Sequence, residues 1–253
     1  MLSEKNAHPR DEKLEFDEPT HVYTIDGDNN YMSVTTWIHS FFPHFDADKV
    51  IAKMRSGRNW GPDNKYYNMT DDEIKQGWSQ NGKEASELGT AMHLNIENYY
   101  NGVEYTPGFT ESKEFDLFSE YLADHSDLKP FRTEWAVFSK AYRLAGSIDM
   151  IYYDPDDPKK VIIADWKRSK EIKFSNRWEK GYAPLDEIDN CNYWHYTLQL
   201  NVYRMILEKY YGQQVSKMFL VILHPNQDHY IKIPVDKVTT PIMKMLQVRK
   251  KQL

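Results

Sequence analysis

The chain has 253 residues, 40% hydrophobic and 28% charged, with a formal net charge of −6, which is typical of a globular protein and argues against one that coats nucleic acid through bulk positive charge. Its single cysteine, Cys191, excludes an internal disulfide and an iron–sulfur cluster held by several cysteines. No apolar run approaches the roughly 20 residues of a membrane span, and the acidic start lacks the apolar core of a signal peptide, so we expect a soluble intracellular protein without a membrane partner.

The first half of the chain is predicted to be mainly helical. Residues 1–18 are polar and charged, and we expect them to form a mobile tail. Alternating apolar residues predict a short strand over 21–25. Capping residues and helical periodicity then predict helices over 33–42, 46–55, 70–100 and 110–125. The third of these begins with a capping box, in which Thr70 is the N-cap and Glu73 occupies the N3 position.

The second half of the chain is predicted to contain most of the strands. Strands are expected over 131–138, 142–153 and 161–167, and a tight acidic turn separates the last two. A long helix over 192–211, two strands over 217–223 and 229–233, and a basic helix over 238–251 follow. This order predicts an α/β or α+β protein with helices packed on a sheet.

Two aspartates are predicted on neighbouring strands of this sheet. Asp149 lies in the segment Gly-Ser-Ile-Asp-Met-Ile, and Asp165 follows the buried-strand run Val-Ile-Ile-Ala. Aspartate is disfavoured in strands, and two nearby carboxylates repel each other. A divalent cation would offset both costs, and Mg²⁺ suits ligation by oxygen with retained waters. The two aspartates therefore predict a metal site.

Lys167 follows Asp165 by two positions, so a strand directs both side chains to the same face. A lysine beside metal-bound carboxylates can orient or deprotonate an attacking water, or stabilise charge on a phosphate. The pair thus indicates metal-assisted phosphodiester hydrolysis. An exposed aspartate at a strand end, next to a lysine that extends to solvent, would give the same short motif.

Three further features place polar groups near the aspartates. His93 lies in the predicted helical segment Gly89–His93, where it can ligate a metal or serve as an ordinary polar residue. Gln199 and Tyr203 lie one turn apart on the later helix, and they can hydrogen-bond a phosphate or the lysine, or form one side of an amphipathic helix. Glu134 begins the hairpin that carries the first aspartate, and it can reach the same metal or remain exposed.

The order of these motifs resembles the RecB-like branch of the PD-(D/E)XK nuclease superfamily, which includes lambda-type exonucleases. The matching segments are Gly89–His93, Glu134, Gly146–Asp149, Asp165–Lys167 and Gln199–Tyr203, within about residues 85–225. The resemblance implies an α/β fold with a restriction-endonuclease-like core, in which helices flank a central mixed β-sheet. It implies one nuclease domain over 19–253, with a helical amino-terminal part over 33–126 and a catalytic core over about 85–235.

The resemblance also implies roles for the motif residues. The metal ligands would be His93, Asp149, Asp165, the backbone carbonyl of Trp166 and, as a further acidic ligand, Glu134. The catalytic group would comprise Lys167 as the catalytic lysine together with Asp149, Asp165, Gln199 and Tyr203. The implied cofactor is Mg²⁺, with Mn²⁺ as an alternative. The single Cys191 places the chain with the relatives that lack an iron–sulfur cluster.

The implied function is that of a metal-dependent deoxyribonuclease. An exonuclease acting on single-stranded DNA or duplex ends, in replication, repair or recombination, is favoured. Two alternatives stay open, namely a structure-specific or nicking endonuclease of the same fold and a catalytically silent DNA-binding module. A homo-oligomer or a recombination partner protein is compatible with the sequence, and so is a viral or phage origin.

Candidate DNA contacts lie around these motifs. Basic residues that can neutralise backbone phosphates are Lys53, Arg55, Arg58, Arg168 and Lys170. Hydroxyl residues at a helix start that can hold a terminal phosphate are Ser33, Thr35 and Thr36, although Ser33 can equally be an ordinary helix cap. Several aromatic residues near basic or glycine-containing segments, including Trp178, can stack on unpaired bases or belong to the core and its rim.

Overall fold

The computed structural model describes residues 1–253, and its longer elements lie close to their predicted positions. The helices are α1 (Leu2–Lys5), α2 (Val34–His39), α3 (Ala47–Arg55), α4 (Asp71–Asn101), α5 (Lys113–Asp124), α6 (Asn192–Tyr210) and α7 (Thr240–Gln252). The strands are β1 (Leu14–Asp17), β2 (Val22–Ile25), β3 (Met32–Ser33), β4 (Pro130–Ser139), β5 (Leu144–Asp154), β6 (Asp157–Lys167), β7 (Gln214–Ile222) and β8 (Ile231–Pro234). No helix is both long enough and apolar enough to cross a membrane.

A six-stranded mixed sheet organises the larger part of the chain. Its order is β3-β5-β6-β7-β8, and β4 pairs with β5 outside this path. The pairs β4–β5, β5–β6 and β7–β8 are antiparallel, whereas β3–β5 and β6–β7 are parallel. This topology confirms the predicted α/β fold with a central mixed sheet flanked by helices.

The two faces of the sheet contribute to separate hydrophobic cores. Along β6, Val161 and Ile163 join the core that contains the apolar face of α6, while Ile162 and Ala164 join the core that contains residues of α5. This alternation follows from the two-residue period of a strand. Asp165 lies two residues after Ile163 on β6, so its side chain points to the same face, on which α6 packs.

Strand β5 is paired unevenly along its two edges. Strand β4 covers one edge from Leu144 to Tyr152. On the other edge, β3 pairs with Leu144 and Ala145, and β6 pairs with residues 150–154. Residues 146–149 therefore have no strand partner on that edge. The gap leaves room for side chains from other elements beside the motif that carries Asp149.

The amino-terminal segment is folded against β4, which corrects the prediction of a mobile tail over 1–18. The carboxylate of Asp11 accepts hydrogen bonds from Arg132 Nη1 and Trp135 Nε1, each at 2.8 Å. Arg10 Nη2 donates to the carbonyl of Phe138 at 2.9 Å. Charged residues in this segment satisfy polar groups of the sheet, so its polarity does not mean that it is free.

The chain divides into two compact units, one comprising Met1–Pro43 with Met92–Leu253 and the other His44–Ala91. The smaller unit contains α3 and the first part of α4. Its helix α4 begins with the predicted capping box, since Glu73 N donates to Thr70 Oγ1 at 3.2 Å and Thr70 N donates to Glu73 Oε2 at 2.7 Å. An ion pair of 2.6 Å between Arg55 and Asp71 holds α3 to the start of α4 within this unit.

Candidate active site

Glu134 and Asp149 lie opposite each other on β4 and β5. The register is set by the flanking pairs, Thr133 with Met150 and Trp135 with Ile148. Glu134 has a φ of 42°, in the left-handed region that is costly for a residue other than glycine. Its Oε2 accepts a hydrogen bond of 2.9 Å from the hydroxyl of Ser147. Backbone strain and this hydrogen bond together aim the Glu134 carboxylate towards Asp149.

Asp149 links β5 to β6 at the point where their ladder stops. The last backbone pair of this ladder joins Met150 to Ala164. Beyond it, Asp149 Oδ2 accepts the backbone N–H of Trp166 at 2.9 Å. A side-chain oxygen thus replaces the missing backbone partner, which fixes the carboxylate beside the end of β6.

His93 approaches the same place from α4. Its Nε2 lies 2.9 Å from the carbonyl oxygen of Trp166. Its Nδ1 lies 3.5 Å from Glu134 Oε1 and 3.6 Å from Asp149 Oδ2. One ligand atom each from His93, Glu134 and Asp149 lie within 4.8 Å of one another, a spacing at which one ion could bind all three.

Asp165 and Lys167 form the second half of the site. Lys167 Nζ lies 2.6 Å from Asp165 Oδ2, and only 3% of Asp165 is exposed. The same ammonium lies 4.8 Å from the centre of the Tyr196 ring, over its face. Both side chains therefore point to the side of α6, as their spacing on a strand predicted.

The electrostatics of the site reflect crowded and buried charges. Burial raises the pKa of Asp165, the charge of Asp149 raises it further, and the value reaches about 6 although Lys167 opposes the change. Burial also raises the pKa of Asp149. For His93, burial lowers the pKa, but the carboxylates of Asp149 and Glu134 outweigh it and raise the pKa to about 9. Burial likewise opposes protonation of Lys167, but Asp165 and Asp149 raise its pKa.

This donor set fits a divalent cation. Burial raises the free energy of the ionised carboxylates, and a cation among them would offset that cost. The donors would be carboxylate oxygens, one imidazole nitrogen of His93 and the Trp166 carbonyl. Oxygen donors suit Mg²⁺, and an added imidazole is also acceptable to Mn²⁺.

Helix α6 closes the site from the other side of the sheet. Gln199 Nε2 donates to Thr35 Oγ1 at 3.1 Å and lies 3.4 Å from the hydroxyl oxygen of Tyr203. The Tyr203 ring lies directly on Gly146, because a Cβ added at Gly146 would come within 2.6 Å of its hydroxyl oxygen. The motifs Gly-x-x-Asp and Gln-x-x-x-Tyr therefore touch each other. At Gly89, by contrast, an added Cβ would meet no atom within 4 Å.

The structure thus brings together the residues predicted for the metal and catalytic groups. Sequence reasoning missed Tyr196, which is one turn before Gln199 and shares its helix face with Tyr203. That i, i+3, i+7 spacing was the available signal. It also missed Ser147, whose hydroxyl holds Glu134. Nothing in the sequence marks that serine, because the contact depends on how β4 and β5 pair.

Some of the residues predicted to contact DNA are exposed, and others are engaged in contacts within the protein. Arg168 Nε donates to Glu114 Oε1 at 2.7 Å in a nearly buried ion pair, which speaks against its predicted phosphate contact. Ser33 Oγ accepts the backbone N–H of Thr36 at 3.1 Å and so caps α2. Lys170 is exposed. The three basic residues predicted as DNA contacts in the smaller unit are Lys53 and Arg58, which are exposed, and Arg55, which is paired with Asp71.

A family model of the PD-(D/E)XK nuclease superfamily matches residues 109–249. The chain belongs to this superfamily. The matched range contains Glu134, Asp149, Asp165, Lys167, Gln199 and Tyr203, while His93 lies before it. Membership assigns the chain to the nucleases, which are phosphodiester hydrolases, and PD-(D/E)XK nucleases use divalent metals.

Two solved structures are similar to this PD-(D/E)XK nuclease at low identity. A crystal structure of SSO0001 has 14% identity and a TM-score of 0.38, and the match covers 89% of this chain and 77% of that chain. A protein described as a "putative exonuclease" from Eubacterium rectale has 15% identity and a TM-score of 0.40, with 88% and 78% covered. The comparison with curated proteins gave no match.

Proposed function

We propose that the chain is a Mg²⁺-dependent exodeoxyribonuclease of the RecB-like branch, with Mn²⁺ as an alternative cation. The observation that carries this proposal is the ion pair of Asp165 and Lys167 next to the cluster of His93, Glu134 and Asp149. The order of the motifs along the chain supports the branch and, through it, exonuclease action. A role in DNA replication, repair or recombination follows from the same resemblance.

The cation would be held by His93, Asp149, Asp165 and the Trp166 carbonyl, with Glu134 as a further ligand. When bound, a divalent cation lowers the pKa of water and offsets negative charge on a phosphate oxygen. Lys167 remains an ammonium because Asp165 and Asp149 raise its pKa. It therefore acts as a hydrogen-bond donor that orients the attacking water or a phosphate oxygen.

Gln199 and Tyr203 position groups around this lysine. The amide of Gln199 is tied to Thr35 and lies beside the Tyr203 hydroxyl, so its orientation is fixed. Tyr203 in turn packs on Gly146, three residues before Asp149. These contacts fix the position of the Asp149 carboxylate relative to the Lys167 ammonium. A small displacement of either group would strongly reduce the rate of hydrolysis.

The nuclease proposal is tested with DNA labelled at its 5′ or 3′ end, in single-stranded, duplex and circular forms, with Mg²⁺. We expect mononucleotide or short products from linear DNA and none from circular DNA. Asp165→Asn and Lys167→Ala should each lose at least a hundredfold in rate. Lys159→Ala is the matched control, because Lys159 is exposed at the opposite end of β6.

Wild-type rates in Lys167→Ala would contradict the proposed mechanism. Cleavage of circular DNA would instead favour the endonuclease of the same fold. Binding of DNA without cleavage under any divalent cation would favour a catalytically silent module.

Metal binding can be measured separately by calorimetry with Mn²⁺. Glu134→Gln and Asp149→Asn should each weaken binding at least tenfold, since each removes one charged ligand. Glu104→Gln, an exposed residue outside the cluster, is the control. Protons compete with the cation for His93, whose pKa is about 9, and for Asp165, whose pKa is about 6, so affinity should fall as the pH drops through this range. Unchanged affinity in both cluster variants would argue against this metal site.

A further inference from the structure

Two adjoining clefts lead away from Lys167 on the α6 side of the sheet. The first, of about 330 Å³, is lined by Lys167, Tyr196 and Gln199, among others. The second, of about 670 Å³, is lined by Lys173, Arg177 and Trp178, among others. Asn192 and His195 line both clefts, so the two clefts adjoin. We call the two clefts together the strand groove.

We propose that the strand groove holds an unpaired DNA strand next to the scissile phosphate, and that Trp178 stacks on one of its bases. This inference rests on the proposed nuclease function, because the groove begins at Lys167.

The charge of the groove suits a phosphate backbone. Its cations are Lys167, Lys173 and Arg177, and no carboxylate belongs to its lining. Lys173 and Arg177 are both exposed, and neither forms an ion pair. Since the chain as a whole carries a net charge of −6, a lining without acidic residues is a local feature and not an average property.

The groove also presents aromatic surface where it opens to solvent. Trp178, which lines the second cleft, is 85% exposed. An aromatic ring exposed to this degree offers a face on which a ligand can pack. Base faces are suitable partners, because stacking tolerates any base and requires that the base be unpaired.

Hydrogen bonds hold the Trp178 segment in place. Trp178 N donates to Asn176 Oδ1 at 3.0 Å, and Asn176 N donates to Asp189 Oδ2 at 2.9 Å. Asn176 Nδ2 donates to the carbonyl of Asn190 at 2.8 Å, and the Asn190 amide oxygen lies 2.9 Å from His195 Nε2. The exposed ring therefore stands on a fixed turn connected to the wall of the groove, which lowers the entropic cost of stacking.

A duplex fits this arrangement poorly. Both faces of an internal base pair are already stacked, so Trp178 could reach a base only at an unpaired or frayed end. A groove that follows one backbone and offers one stacking surface is typical of single-strand binding. We therefore expect binding of an oligonucleotide to depend on Trp178 when it is single-stranded and not when it is a blunt duplex.

The test is fluorescence anisotropy with labelled 20-nucleotide oligo(dT) and a blunt 20-bp duplex, with the full chain in EDTA so that cleavage cannot occur. Trp178→Leu should weaken oligo(dT) binding about fivefold or more, as expected for the loss of one stacked base, and change duplex binding less than twofold. Trp178→Phe keeps an aromatic face and should stay within about twofold of the wild type.

The charges are tested with Lys173→Ala/Arg177→Ala. Loss of two phosphate contacts should reduce the slope of log K against log salt for oligo(dT) by about 1.4. The matched control is Lys129→Ala/Lys159→Ala, which removes two exposed lysines near the hairpin turn at the far end of β5 and β6. This control should leave the slope unchanged.

The results separate this inference from the nuclease proposal. If the wild type degrades DNA with Mg²⁺ but Trp178→Leu and the double variant bind oligo(dT) like the wild type, the strand groove is wrong and the nuclease stands. If oligo(dT) binding shows the expected losses but no DNA is degraded, the groove stands and the nuclease proposal fails. Equal loss of single-strand and duplex binding in Trp178→Leu would also overturn the groove.

Discussion

Asp165 and Lys167 are charged side chains that the fold buries, although burial disfavours their charged forms. Both are largely buried, and each is stabilised in its charged form mainly by the other, at 2.6 Å. Removing one partner would leave an uncompensated buried charge, which is costly. Glu134 adds a left-handed backbone with a φ of 42°. Strain and buried charge of this kind are typical of functional positions, because packing alone gives no reason to keep them.

His195, which lines the strand groove, gives a prediction about stability and pH. Burial, and then the charge of His39, lowers its pKa from 6.5 to about 4. Between these values the unfolded chain binds a proton that the folded chain does not, so stability falls as the pH falls from 6.5 to 4 and this contribution is constant outside that window. Because the ring is partly exposed, we expect a loss of about 2 kcal/mol rather than the full value.

His195→Gln should remove this contribution. The difference in free energy of unfolding between wild type and variant, measured by urea denaturation from pH 4 to 8, should shift in favour of the variant as the pH falls from 6.5 to 4. A constant difference over the whole range would mean that His195 is not shifted. Histidines other than His39, whose charge is coupled to His195, affect both proteins equally and cancel in this comparison.

At the scale of elements, the site depends on where α6 packs against β5. Tyr203 packs on Gly146, the first residue of the segment 146–149 that has no strand partner on one edge, and the absence of a Cβ at Gly146 allows this contact. Helix α4 delivers His93 from the other core of the sheet. The site is therefore a junction of elements from both faces, and the position of each element is set by its hydrophobic contacts.

Substitutions at two glycines test this contact, because Gly146 lies against Tyr203 and Gly89 has no close neighbour. Gly146→Ala should destabilise the protein by about 1–3 kcal/mol through overpacking and also reduce nuclease activity, because Tyr203 must move. Gly89→Ala should be neutral or stabilise by up to about 1 kcal/mol, since alanine favours a helix and an added Cβ meets no neighbour. Urea denaturation gives both values. Equal effects of the two substitutions would contradict the packing of Tyr203 on Gly146.

For the whole molecule, the amino-terminal segment is part of the fold. Arg132 has a side chain only 7% exposed, and its ion pair with Asp11 comes from a residue 121 positions earlier. This contact closes a large loop of the chain, and the ion pair offsets the free-energy cost of burying the charged arginine.

Deletion of residues 2–12 should therefore destabilise the protein by about 3 kcal/mol or more, because Arg132 would keep a buried charge without a partner. Deletion of residues 2–5 is the control, since it removes α1 and leaves Asp11 in place. Thermal and urea denaturation of both truncated chains give the comparison. A mobile tail would predict no effect of either deletion.

The sequence by itself determined the main helices and strands, the sheet-based fold and the candidate site residues from Glu134 to Tyr203. Periodicity, capping residues and the order of short motifs are local signals, so they can be recognised in the sequence before the packing is known. The single cysteine limited the cofactors in the same way. The charge of −6 was less informative, because the charges that bear on function are local.

Only the tertiary structure decided which groups meet. The contact of Ser147 with Glu134, the seat of Tyr203 on Gly146 and the ion pair of Arg168 with Glu114 all join residues far apart or on different strands. The anchoring of the first residues by Arg132 and Trp135 is of the same kind. Such contacts depend on strand register and on how helices pack, which are set by the whole core, so no local pattern could specify them.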